Sequence, residues 1–218
     1  MKNMSYLLLV ISFLTPFPAR AQKEEIKTEK APVKLDHHVS IVGLANFYSP
    51  RVTNTGPEAL SLTSSSNLGV GVGLLGGFTL GGPLDFEYGL LIMRRENTYS
   101  GDVIEYKEAS NWVALPVGAK FKFTEIFSVV GGPYLGYRVG EVTNAYSVST
   151  TSEVKTPYQE RFELGWYGAA VAAIPIIRNI GVHVELRYLK GLTNISMHQN
   201  MKINSSDLMC LAGVQANF

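Results

Sequence analysis

The chain has 218 residues, 46% of them hydrophobic and 17% charged, with 19 basic against 18 acidic side chains for a formal net charge of +1. A mean hydropathy of +0.09 is high for a globular chain, yet beyond residue 21 no apolar run reaches the ~20 residues that a membrane helix needs. The near-neutral charge, without clustered Lys and Arg, excludes a nucleic-acid partner, and a single cysteine, Cys210, excludes an intrachain disulfide.

Lys2, an apolar Leu7 to Leu14 and the small-x-small Ala19-Arg20-Ala21 are the three parts of a cleaved secretory signal peptide over residues 1–21. Its loss removes Lys2 and Arg20 and no acid, so 19 less two leaves 17 bases against 18 acids, a mature charge of −1. No cysteine lies near the cut to carry a lipid anchor. Residues 22–37 are rich in Lys, Glu, Thr and Pro, have little to bury, and are expected to form a flexible periplasmic tail. His37 and His38 point to opposite faces of an extended chain, a poor chelate for one metal, and read as a solvated strand start.

From Val39 to Tyr48 the pattern has period two, with Val39, Ile41, Gly43, Ala45 and Phe47 on one side, the signature of a strand. Ser49 to Ser66 is a polar loop. The chain returns with Leu68, Val70, Val72, Leu74 and Phe78 opposed to Gly69, Gly71, Gly73 and Gly77. Gly71, Gly73 and Gly76 spell G-x-G-x-x-G, but strand rather than helix follows, so no dinucleotide site is expected. After the tight turn Gly81-Gly82-Pro83, Leu84 to Asn97 sets Leu84, Phe86, Tyr88, Leu90 and Ile92 against Asp85, Glu87, Gly89, Leu91 and Met93. Thr98 to Ser110 reads as a long polar link with strand at its base.

The clearest hairpin follows. Val113, Leu115, Val117, Ala119, Phe121 and Phe123 alternate with Trp112, Ala114, Pro116, Gly118, Lys120 and Lys122; Thr124 to Ile126 turns the chain; and Val129, Gly131, Pro133, Leu135 and Tyr137 alternate with Ser128, Val130, Gly132, Tyr134 and Arg138. Pro116 and Pro133 lack the ladder donor, which predicts β-bulges there. Glu141 to Gln159 is a loop. Phe162, Leu164, Trp166 and Ala170 then oppose Glu163 and Tyr167, Pro175 to Asn179 turns, and Ile180, Val182, Val184, Leu186 and Tyr188 oppose His183, Glu185 and Arg187. A polar loop over Thr193 to Ser205 leads to Leu208, Cys210, Ala212, Val214, Ala216 and Phe218, which puts Cys210 on the apolar face.

In a soluble sandwich the apolar faces would be the core, whereas in a membrane barrel they meet lipid and the small or charged faces line a narrow interior. Repetition of the pattern behind an export signal selects the second. The connections alternate long and short, as in outer-membrane barrels with periplasmic turns and extracellular loops. The expected fold is all-β, an eight-stranded antiparallel up-and-down transmembrane β-barrel over residues 38–218, monomeric, in the bacterial outer membrane. Eight strands leave an interior that side chains just fill.

Leu115-Pro116-Val117-Gly118-Ala119-Lys120-Phe121-Lys122-Phe123 with Gly132-Pro133-Tyr134-Leu135-Gly136-Tyr137, and Leu186-Arg187-Tyr188 with Gly191-Leu192-Thr193-Asn194-Ile195, resemble the PorT-like outer-membrane β-barrel domain family over roughly Val39 to Phe218. The resemblance implies an integral outer-membrane protein of a Bacteroidetes-type bacterium, with a part in secretion and maturation of exported proteins in the founding member. It supplies no catalytic residues and no cofactor. Phe218 resembles the terminal aromatic by which the barrel-assembly machinery reads exported barrels.

The inward polar set is Asp85, Glu87, Lys120, Lys122, Arg138, Glu163, His183, Glu185 and Arg187. Up-and-down wiring makes Asp85 and Glu87 partners of Lys120 and Lys122, and Arg138 a partner of Glu163, as a salt-bridged lumen. His38-Val39-Ser40 fits the His-x-Ser letters of lipid A deacylases, with no acid near it in sequence. His183 with Glu185 makes a base and its orienter, with no serine or cysteine beside them. No metal or cofactor spacing is present. The leading expectation is a non-enzymatic structural or secretion-related barrel whose extracellular loops bind a protein partner. The alternatives are a conduit for small solutes or hydrophobic ligands, and a lipid hydrolase at the rim.

Overall fold

The computed structural model describes residues 36–54, 63–100, 105–146, 161–196 and 201–218, so the signal peptide and most of the tail expected over 1–37 lie outside the described residues. The elements are strands: β1 (His37–Tyr48), β2 (Arg51–Asn54), β3 (Thr63–Ser66), β4 (Leu68–Gly81), β5 (Leu84–Ser100), β6 (Glu105–Lys122), β7 (Phe127–Tyr146), β8 (Phe162–Ile177), β9 (Ile180–Gly191), β10 (Met201–Asn204) and β11 (Ser206–Asn217). Eight of them close an antiparallel ring in the order β1-β4-β5-β6-β7-β8-β9-β11, with β11 hydrogen-bonded back to β1. Closure leaves no strand edge in the wall, which is what the backbone requires in hydrocarbon.

The faces sort by period two along every wall strand. Ile41 is 70% exposed, and Leu74, Ile92, Leu115, Trp166 and Leu186 share its outward face, while Ser40, Asp85, Glu87, Lys120 and Arg187 are buried inside. Cys210 is exposed on the outward face. Reversing one residue would put a Lys or Arg on the lipid face, which costs roughly 2–4 kcal/mol at the bilayer midplane. On the inside, apolar residues of all eight wall strands meet in one cluster at mid-height, among them Leu44, Leu91, Trp112, Val171, Leu189 and Met209.

One end of the ring carries the tight turns, including Gly81 and Gly82 at φ 138° and 57°, left-handed values that cost glycine little. Here the ring is tied at its ends: Phe218 N donates to His37 O at 2.8 Å. The opposite, loop end departs from the sequence expectations. The link expected over Thr98 to Ser110 is mostly wall, because β5 continues to Ser100 and its ladder with β6 runs to Ser100 opposite Glu105. The loop expected from Glu141 begins as β7, which reaches Tyr146. The polar stretches over Ser49–Ser66 and Thr193–Ser205 contain β2, β3 and β10; β2 pairs with β10, and β3 extends along β5. In each case the hydrogen-bond ladder outlasts the hydrophobic alternation, since a strand past the membrane has no apolar solvent to face.

The prolines also differ. Registers run from Tyr88 opposite Val117 to Leu91 opposite Ala114, and from Pro116 opposite Tyr134 to Ala119 opposite Gly131, without a shift. Pro133 stands opposite Trp166 in an unbroken register. The irregularities lie instead at Thr79/Gly81, Ala109/Asn111 and Pro175/Ile177, the last carrying β8 on to Ile177 and shortening the expected turn. A proline costs the ladder one donor, and here the pairing passes over it rather than inserting a residue.

Candidate functional site

The lumen holds two charged tiers separated by the apolar waist. In the turn-end tier, Lys122 Nζ stands 2.7 Å from Asp85 Oδ2 and Lys120 Nζ 3.5 Å from Glu87 Oε2. Arg187 Nη2 donates to Glu87 Oε1 at 2.9 Å, and its Nε donates to Glu185 Oε1. Because β5 and β9 are four places apart in the ring of eight, the Glu87–Arg187 bond crosses its full diameter. The guanidinium lies 4.6 Å from the Tyr167 ring centroid, a cation–π contact that compensates further for burial.

The loop-end tier centres on Arg95. Its Nε and Nη2 donate to Asp207 Oδ1 and Oδ2 at 3.0 and 2.5 Å, a bidentate pair, and its Nη1 donates to Glu163 Oε2 at 2.6 Å. Arg95 is stacked near Tyr48 and Trp112, at 5.0 and 4.4 Å. The other Glu163 oxygen accepts from Tyr134 and Ser205 hydroxyls, and Asn46 Nδ2 donates to Asp207 at 3.0 Å. The tier thus joins β5, β7, β8, β11 and β1.

Of the inward residues expected from sequence, Asp85, Glu87, Lys120, Arg138, Glu163, His183, Glu185 and Arg187 are buried, and Lys122 remains 39% exposed at its side chain. The pairing of Arg138 with Glu163 is corrected: Glu163 registers with Gly136, and its carboxylate is taken by Arg95 from across the ring. Arg95 and Asp207 carry the outer tier, and sequence reasoning missed both. The signal was parity, since Arg95 continues the inward series Asp85, Glu87, Gly89, Leu91, Met93, and Asp207 precedes Met209 and Leu211.

A second correction concerns the nucleophile. His183 and Glu185 do have a serine beside them: His183 Nε2 is 3.0 Å from Glu185 Oε2, and His183 Nδ1 is 3.5 Å from Ser40 Oγ. The carboxylate only accepts, so in the neutral ring the proton belongs on Nε2 and Nδ1 is the acceptor. Gln215 Oε1 lies 3.5 Å from both Ser40 Oγ and His183 Nδ1. His38, two residues from Ser40 on the same face, instead packs its ring over Gly77, where a Cβ would stand 2.5 Å from His38 Cε1. Among the described residues no group of His, Cys, Asp and Glu is arranged to hold a metal ion.

The family model described as "Outer membrane protein beta-barrel domain" matches residues 21–197. No curated protein matches the sequence. Among solved structures the chain is similar to the outer membrane protein OprG from Pseudomonas aeruginosa, at 11% identity and a TM-score of 0.49, covering 84% of this chain and 95% of that one. It is similar also to Ail, the attachment invasion locus protein of Yersinia pestis, in complex with the heparin analogue sucrose octasulfate, at 14% identity and 0.43, covering 82% and 98%. Neisserial surface protein A gives 15% identity and 0.41, covering 84% and 97%.

Proposed function

This chain belongs to the outer membrane protein β-barrel domain family, and from that premise we propose that it is a sealed barrel of structural or secretion-related role, binding a protein partner at its loop end. It is an integral protein of the bacterial outer membrane, with its outward face in lipid. By the wiring of such barrels the turn end faces the periplasm and the loop end the exterior, and residues 1–21 are the leader that brings it there. Mass spectrometry of the mature protein starting at Gln22 checks that cleavage.

The observation that carries this reading is the filled cross-section: the Glu87–Arg187 pair spans the lumen on one side of the apolar waist, and Arg95 with Glu163 and Asp207 spans it on the other. A conduit for solutes needs both tiers and the waist to part. Separating a buried pair leaves uncompensated charge, at about 3–5 kcal/mol. The conduit reading is therefore the weaker one. The PorT-like sequence passages favour a secretion role for the partner bound.

Planar-bilayer recording of the purified, refolded protein tests the seal, and a steady large conductance would sink it. A photo-crosslinking residue at Lys107, exposed near the loop end, is expected to capture a protein in intact cells, whereas one at Ile41 captures lipid. Lipid adducts alone from both positions would remove the partner-binding reading.

A further inference from the structure

We infer that Ser40, His183 and Glu185 form an esterase-type site at the turn end of the lumen, with a small carboxylic ester as its substrate. This activity is additional to the proposed partner binding and does not rest on it.

Ser40 and His183 belong to strands that are not neighbours, because β11 lies between β1 and β9. The β11 residue that registers with His183 on one side and Val42 on the other is Gly213. A Cβ there would stand 2.7 Å from Val42 Cα. The intervening strand is thus bare where the imidazole and the hydroxyl meet over it.

The acid is held at both oxygens, Oε1 by Arg187 Nε and Oε2 by His183 Nε2 at 3.0 Å. That clamp sets the ring so that the Nδ1 lone pair faces Ser40 Oγ at 3.5 Å. Nucleophile–base distances of this kind are loose in ligand-free sites and tighten around substrate. The arrangement is that of a nucleophile, a general base and an orienting carboxylate, recognised by geometry rather than by chain order.

Position decides the substrate. Ser40 is 0% exposed; Gln215, its register partner on β11, and His38, the next inward side chain of β1 toward the turn-end opening, are each 9% exposed. The apolar waist closes the other direction. An ester reaches Ser40 from the turn end when the His38 and Gln215 side chains rotate aside, which restricts it to small acyl groups. Gln215 Oε1 also competes with His183 Nδ1 for the serine proton, holding the hydroxyl in check until it is displaced.

In the reaction, Ser40 Oγ bonds to the ester carbonyl carbon and its proton passes to His183 Nδ1. The tetrahedral intermediate collapses, the C–O bond to the alcohol breaks, and His183 protonates the departing alcohol. Water repeats the two steps on the acyl-serine, so that ester and water become acid and alcohol. Glu185 acts through His183 as a positioning residue.

Full-length mature protein folded in detergent is treated with a small fluorophosphonate, the adduct is mapped by peptide mass spectrometry, and hydrolysis of p-nitrophenyl acetate is followed. The phosphonate is expected on Ser40, with Ser40→Ala abolishing both signals and His183→Asn slowing them on the order of 100-fold. Gln215→Ala should accelerate labelling, since it removes the competing acceptor and widens the mouth. Glu185→Gln should slow labelling of Ser40 with the folded fraction unchanged, because the imidazole loses the carboxylate that orients it, and Glu185→Asp should recover part of the rate. A purely structural Glu185 would change the folded fraction and leave the labelling rate of the folded protein where it is. Correctly folded protein, judged by heat-modifiable migration, that takes up no phosphonate or takes it on a different serine overturns the proposal. If Ser40→Ala fails to fold, the adduct map of the unsubstituted protein decides alone.

Discussion

The two ends of the lumen neutralise buried charge by different arrangements. At the turn end the charges form a chain: Glu87 has both Lys120 and Arg187, Glu185 has Arg187 together with a hydrogen bond from His183, and Lys122 reaches Asp85 from a half-solvated position. At the loop end one guanidinium, 1% exposed, satisfies two carboxylates from strands across the ring. The chain is redundant, and the hub is not. A buried ion that loses its sole counter-ion is destabilising by far more than the intact pair stabilises, so the hub should be the more fragile construction.

The largest expected effect is from Arg95→Met, which leaves Glu163 and Asp207 facing each other without their cation; a loss of about 3–5 kcal/mol should appear in urea unfolding from lipid vesicles. Adding Glu163→Gln and Asp207→Asn to that variant removes the stranded charge and should recover most of the loss. If the triple variant is as unstable as the single one, the hub matters for packing rather than charge. Arg187→Met is expected to cost less, about 1–3 kcal/mol, because Glu87 keeps Lys120 and Glu185 keeps His183. Equal losses at Arg95 and Arg187 would erase the distinction between chain and hub. Smallest is Lys122→Ala, whose partly exposed ammonium should be worth about 0–1 kcal/mol in the same assay.

The same two tiers differ in how far they were legible in the sequence. Asp85, Glu87, Lys120 and Lys122 lie within the hydrophobic alternation of two strands that are consecutive in the up-and-down wiring, so period and wiring alone bring them together. Arg95 and Asp207 stand at the loop-end limit of that alternation, where outward residues such as Arg94 and Ser206 are polar as well. Without an oily face for contrast, parity was the sole remaining cue there. Partners across the lumen pose a harder problem: Arg95 with Glu163, or Ser40 with His183, depends on ring closure and on the register of every intervening strand. Gly213 is silent in a one-dimensional pattern and acquires meaning only when β1 and β9 flank it. The wall itself was legible because lipid imposes one rule on every outward position.

The wall is not of even height. β5, β6 and β7 have 17, 18 and 20 residues, and β1, β9 and β11 have 12 each. Among the described residues, a visitor from the exterior therefore meets a broad three-strand parapet along one flank and, along the other, only the narrow β2–β10 pair that continues from β1 and β11, with backbone hydrogen bonds stiffening both. Its azimuth around the cylinder axis is chosen by relief before any side chain is recognised, and shortening β6 and β7 in concert would free that rotation while leaving the membrane-embedded cylinder as it stands.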